Sequence, residues 1–219
     1  MRKLIRPLAP TCLQKLNILS PTSWNLSQSD KDLIWQSLNI MQSYFCVYCD
    51  GALIGHECHI EHLIPQNILK ITRGRNIYEW DNLFGSCDNS EHCGRYKDHI
   101  VKDYNPENLI KPDSEDSSQY LSFLVKGNVV AQSNLEKTFE IKAKETIRVL
   151  NLDCPRLRNL RAKKIGEFQM QYLNLEEIRE SIDLKSKDDQ AFYEAEMMNF
   201  RESISENEYY TAVIQNTIG

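Results

Sequence analysis

The 219-residue sequence predicts an α+β, mostly helical protein. A small strand–strand–helix core should sit between an N-terminal arm with one helix (residues 1–44) and a helical C-terminal region (residues 106–219). Two observations carry that prediction. Five of the seven cysteines and all five histidines fall between Cys46 and His99, inside a segment (45–105) cut short by turn signals at Asp50-Gly51 and Pro65. The flanks instead place apolar residues three and four apart, the period of an amphipathic helix.

Taken in order, residues 1 to about 24 contain prolines that break any period, and read as an arm lying on another surface. Ser27 to Ser43 reads as a helix, capped by Ser27 or Ser29, with Asp30 and Asp32 in its first turn and Leu33, Trp35, Leu38 and Met41 on its apolar side. Tyr44 to Tyr48 is a short strand ending in a Cys-x-x-Cys turn. His56 to Ile64 is a second strand, closed by Pro65. Gln66 to Arg75 gives a helical turn and a loop, Trp80 to Ser86 leads into a cysteine loop, and a helix opens at about Gly94. Pro106 to Ser118 is a polar, exposed connection, followed by a hairpin of Tyr120–Val125 and Val129–Ala131 about Lys126-Gly127-Asn128. Helices then start near Asn134, with Leu135, Phe139, Thr146 and Leu150 inward, and at Pro155, where proline suits a first turn. In the second, Leu157, Leu160, Ile165, Phe168, Tyr172 and Leu175 form the core stripe. A last helix runs from about Lys187 to Tyr209.

Composition narrows the function classes. Mean hydropathy is −0.51, and no run approaches the roughly 18 apolar residues of a membrane helix. Pro7 and Pro10 interrupt the basic N-terminus too early for a secretory signal. A cytoplasmic, reducing setting is the expectation, in which clustered cysteines bind metal rather than form disulfides. The net charge of −5 argues against coating nucleic acid by bulk attraction. Charge is nevertheless segregated: Arg156 to Lys164 (RLRNLRAKK) is densely basic, and the chain from Leu175 onward is acidic.

Cys46 and Cys49 form one thiolate pair and Cys87 and Cys93 a second, about forty residues on. Two such loops suit a closed tetrahedral structural zinc. The second spacing is wide, so Cys58 and His92 stand as substitutes, while Cys12 and Cys154 read as packed core thiols. Between the pairs lies His59-Ile60-Glu61-His62-Leu63-Ile64-Pro65. A carboxylate can hold a hard divalent cation and a neighbouring imidazole can take a proton from water, the two functions phosphodiester hydrolysis requires. His59 shares a strand face with Glu61, and either ligates metal or orients the site.

The order Cys-x-x-Cys, Glu-His-x-x-Pro, Trp-Asp-Asn-Leu, paired cysteines and Lys97 resembles the HNH endonucleases. With MRKLIRPLAP, CHIEHLIPQN, WDNLFGSC, HCGRYKD and FLVKGNVV, it resembles in particular the PtuB-type nucleases of Septu anti-phage systems, also found beside some retrons. The specific motifs cover Cys46 to His99, and a weaker likeness reaches Ala131. The resemblance implies a zinc-stapled ββα-metal core in which His62 is the general base and Glu61 holds a catalytic Mg2+ or Mn2+. Asn82 would tie the loop to the strand or ligate the cation, and Lys97 would face phosphate. At one position the chain departs from the family: Gly94 stands where a polar metal ligand is common, leaving Asp98, His99, His92 or His59 to complete the shell.

Lys70, Arg73 and Arg75 follow the catalytic strand and are expected to neutralise phosphates without reading sequence. The basic run at Arg156 to Lys164 serves the same purpose or forms a solvated or docking face. The resemblance implies a PtuA-type ABC/SMC-like ATPase partner, contacted by the arm or the acidic helices, and in a retron setting an RNA–DNA hybrid. DNA is the expected substrate, a structured RNA such as tRNA the alternative. A non-catalytic zinc module regulating the ATPase is the competing class.

Overall fold

The computed structural model describes residues 1–19, 23–53, 55, 57–71, 76–101, 103–183 and 185–218. Helices dominate, with two small antiparallel sheets among the described residues. In chain order the elements are α1 (Thr11–Leu19), α2 (Gln28–Gln42), β1 (Cys58–His62), α3 (Gln66–Ile71), β2 (Leu83–Cys87) and α4 (Cys93–His99). They continue with β3 (Leu121–Phe123), β4 (Val129–Ala131), α5 (Lys137–Val149), α6 (Pro155–Ser181), α7 (Lys187–Ser205) and α8 (Tyr210–Gln215).

The arm packs on the core as expected, but it carries a helix where irregular chain was expected. Pro10 immediately precedes α1, where a missing N–H costs nothing. The arm is held by partly buried arginines: Arg6 Nη1 donates to the carbonyls of Trp80 (2.6 Å) and Leu83 (3.0 Å), while Arg2 Nε donates to Asp50 Oδ1 at 2.6 Å. Helix α2 begins as predicted, with Ser27 Oγ accepting from the Asp30 N–H and Ser43 closing it in the left-handed region. Its buried face is Ile34, Leu38 and Met41, with Leu33 exposed.

The expected strand at Tyr44–Tyr48 does not form. Only an isolated bridge joins Phe45 to Ala52, because the Cys46 carbonyl is bonded to the Asp50 N–H in a tight knuckle. Strands β1 and β2 pair in the register Cys58↔Cys87, His59↔Ser86, Ile60↔Gly85, Glu61↔Phe84 and His62↔Leu83. A cysteine thereby lies at one end of the ladder and His62 at the other. Helix α4 contacts β2.

The 106–118 connection is less exposed than its polarity suggested. Leu109 and Ile110 are buried, and Asp113 pairs with Arg6. The β3–β4 hairpin forms as expected. At its turn Gly127 has φ +79°, and a Cβ there would overlap the Arg158 carbonyl, so the turn requires glycine twice over. Helix α5 starts later than expected, with Glu136 rather than Asn134 at its N-terminal boundary and no side-chain cap; it buries Ala143, Thr146 and Val149, while Phe139 stays 44% exposed. Helix α6 starts at Pro155 as predicted, but Arg161 takes the inward position expected of Leu160. Arg161 is 1% exposed, donates to the Gly127 carbonyl at 3.1 Å and stacks over Phe123. It is therefore a core residue and faces no phosphate. The predicted last helix forms as α7, ending at Ser205, and a further short helix, α8, follows Tyr209, which adopts φ 57°.

Candidate functional site

The four sulfurs of Cys46, Cys49, Cys87 and Cys93 lie within 4.8 Å of one another. The Cys46–Cys93 separation is 3.8 Å and Cys49–Cys87 is 3.9 Å. A tetrahedron with Zn–S bonds of about 2.3 Å has edges of about 3.8 Å, so the donor set fits zinc in number, type and spacing. Burial opposes the Cys46 thiolate, yet the neighbouring sulfurs hold its pKa well below that of a free thiol. Neither substitute ligand is needed. Cys58 lies outside the cluster, and His92 is buried beside it with Nδ1 3.2 Å from Cys93 Sγ.

Glu61 and His62 stand at the far end of the same strand pair. Glu61 is 1% exposed, and its two oxygens are in different surroundings. Oε1 accepts from the Tyr48 hydroxyl at 3.1 Å and lies 2.9 Å from Lys97 Nζ, whereas Oε2 lies 2.9 Å from His59 Nε2. Burial would raise the pKa of this carboxyl, but the Lys97 ammonium and His59 outweigh it and bring it down to about 2. Lys97, expected to face phosphate, is fully buried. It bridges Glu61 to Asp98 Oδ1 (2.5 Å) and donates to the His62 carbonyl at 3.1 Å. Burial works against its charge, but Glu61 and Asp98 raise its pKa above the usual lysine value.

His62 is 5% exposed. Its Nε2 lies 2.8 Å from the Ile77 carbonyl oxygen, and the Trp24 ring meets it edge-on with centroids 4.5 Å apart. A carbonyl can only accept, so Nε2 carries the proton and Nδ1 keeps the lone pair in the neutral ring. Burial pushes the His62 pKa below its ordinary value, favouring the neutral base. His62 borders an open cleft of about 400 Å³, together with Gln66, Lys97, Asp98 and Tyr104. Burial pushes Tyr104 up to about 12, so it is protonated at neutral pH.

Asn82 is buried, and both ends of its amide serve the backbone of Ile64: Oδ1 accepts from N–H at 2.8 Å, and Nδ2 donates to the carbonyl at 3.0 Å. It ties the segment after β1 to the approach to β2. Lys70 is exposed at the end of α3, whereas Arg73 and Arg75 lie outside the described residues. Two further groups escaped sequence reading. Tyr48 stands between the ligands of the first thiolate pair yet reaches Glu61, and Trp24 comes from the arm. The position of Tyr48 inside Cys-x-x-Cys was the one available signal for it.

No family model matches the chain. Among curated proteins it is similar to the retron Ec83 putative HNH endonuclease of Escherichia coli, 29% identical over 161 residues. The match covers 58% of this chain and 62% of that protein, so the chain spans less than two thirds of the relative's length.

Proposed function

We propose that the chain is an HNH endonuclease that hydrolyses phosphodiester bonds in DNA. One observation carries this reading: a buried, neutral imidazole, held by a backbone carbonyl, stands beside a buried carboxylate at the end of a strand pair that the cysteine cluster staples. In this reading β1, β2 and α4 form a ββα-metal core. His62 Nδ1 takes the proton of the attacking water as its oxygen bonds phosphorus. The bond from phosphorus to the leaving nucleoside oxygen breaks, and Asn82 keeps the loop that ends at Ile64 in place. Glu61 Oε2 is the atom that would hold a divalent ion. Such an ion, Mg2+ or Mn2+, would supply neutralisation of the charge that develops in the reaction. Lys70 with Arg73 and Arg75 would carry the backbone of the substrate.

Acting with a PtuA-type ATPase in anti-phage defence is the second part of the proposal. The name of the relative supports a retron setting, in which an RNA–DNA hybrid is a further partner. Arg2 and Arg6 of the arm are engaged within the chain, which leaves the acidic chain from Leu175 onward, the end of α6 and α7, as the face for the ATPase. Gly94 favours a second reading, a non-catalytic zinc module, because it offers no ligand. The test incubates wild type and His62→Ala, each with the ATPase, with plasmid DNA and total tRNA in Mg2+ or Mn2+. Cleavage lost with His62 at unchanged zinc content supports the nuclease, and the polymer cut distinguishes DNA from RNA. Equal cleavage by both proteins refutes the role of His62.

A further inference from the structure

The structure assigns His59 as the ligand that replaces the missing side chain of residue 94, so that one strand, β1, supplies both protein donors of the second metal site. The assignment rests on the nuclease reading above and names the ion-binding half of that site.

Gly94 opens the first turn of α4 directly against β1. A Cβ built on it would overlap Glu61 Oε2, lie 2.7 Å from Glu61 Cδ and lie 2.9 Å from His59 Nε2. Any residue other than glycine would therefore fill the space these two donors share. The absence of a side chain is what leaves that space open, and it is bounded by one carboxylate oxygen and one imidazole nitrogen.

The donor geometry matches a cation. His59 Nε2 and Glu61 Oε2 are 2.9 Å apart. Two adjacent ligands of an octahedral ion with bonds of about 2.1 Å are about 3.0 Å apart, so an ion could join both without moving either. Glu61 is already aimed for that task. Tyr48 and Lys97 hold Oε1, which leaves Oε2 for His59 and the gap over Gly94.

The other nitrogen of His59 faces a carboxylate, the kind of group that commonly backs a metal-bound imidazole. Nδ1 is 3.3 Å from Asp88 Oδ1, without hydrogen-bond geometry, and Asp88 is in turn paired with Arg95. A hydrogen bond from Nδ1 to that carboxylate would orient the ring and raise its basicity toward a metal. The His59 side chain is 22% exposed, so an ion can reach it from solvent. A mixed imidazole–carboxylate pair suits Mn2+ better than Mg2+, which prefers oxygen.

The test uses the full chain carrying its zinc, with Mn2+ as the probe. Pulsed electron paramagnetic resonance on the wild type should show one bound Mn2+ with coupling to an imidazole nitrogen. His59→Gln should abolish that coupling and weaken Mn2+ binding by at least roughly 10- to 100-fold, with zinc content unchanged. Gly94→Ala, which keeps both donors but fills the gap, should weaken Mn2+ binding without touching the cysteines, and it stands in if His59→Gln loses zinc. His62→Ala and His92→Gln should keep the coupling. Nitrogen coupling that persists in His59→Gln, Gly94→Ala binding Mn2+ as tightly as wild type, or a wild type that binds no Mn2+ would each overturn the assignment. A wild type that leaves both plasmid DNA and tRNA uncut would refute the nuclease reading without altering the Mn2+ spectrum, so the two failures are separable.

Discussion

The two ends of the β1–β2 pair treat buried charge in opposite ways. At one end Cys46, Cys49, Cys87 and Cys93 cluster around a centre that only a cation can neutralise. At the other, Glu61 meets Lys97, Tyr48 and His59, so the protein itself supplies most of the compensation. With zinc bound, the thiolate end would depend on its ion for folding, because structural zinc binding is folding free energy. The carboxylate end is assembled without an ion and keeps one oxygen face available. This is the division expected between a staple and a reaction centre, which has to bind and release.

The largest effect should come from breaking the staple. Cys46→Ser, or a strong chelator, should remove a contribution on the order of 10 kcal/mol; calorimetry should then show no cooperative transition, with zinc lost in step. A melt unchanged by chelation would show that the cluster is not a structural zinc site.

His62→Ala should leave the melt close to wild type and lower cleavage by about 100- to 10,000-fold, the usual contribution of a general base. Lys97→Ala attacks the compensated end. It leaves Glu61 buried without its ammonium partner, so denaturant unfolding should show a loss of about 3–5 kcal/mol. The double variant Lys97→Met with Glu61→Gln should recover part of that loss, because no bare charge remains. An additive double variant would show that the pair is not coupled.

Smaller still is the tie made by Asn82. Asn82→Ala removes two hydrogen bonds to Ile64, and a loss of about 1–3 kcal/mol is expected in the same measurement. The pH dependence completes the series. Burial lowers the His62 pKa, so the base stays neutral as pH falls through 6.5, and the acid limb of the cleavage rate should lie below that value. Glu61 titrates at about 2 against 4.5 when unfolded. Its contribution to stability is therefore present above pH 4.5 and lost as pH falls toward 2. Melting temperature against pH for wild type and Glu61→Gln should converge only at the acid end.

Features that depend on neighbours in sequence were legible before any fold was known. The Ser27 cap, Pro155 at the start of α6, the hairpin glycine and the two thiolate pairs each follow from residue types at fixed short spacings, and the adjacency of Glu61 and His62 on a strand ended by Pro65 follows likewise. Where a polar segment or helix face has two possible surroundings, the sequence pattern alone was insufficient. Arg161 looked like part of a basic face but is buried, because Gly127 and Phe123 satisfy its guanidinium. Residues 106–118 looked exposed, yet Leu109 and Ile110 enter the core.

Sequence by itself determined the class of chemistry: a zinc-type cysteine quartet flanking a carboxylate–imidazole pair. Tertiary structure decided the electrostatic arrangement of the site. It turned Lys97 inward onto Glu61, brought Tyr48 across to the same oxygen, and set Gly94 against His59. The reason is physical. A ligand spacing is a local property of the chain, whereas the partner of a buried charge is chosen by whichever distant groups packing delivers to it.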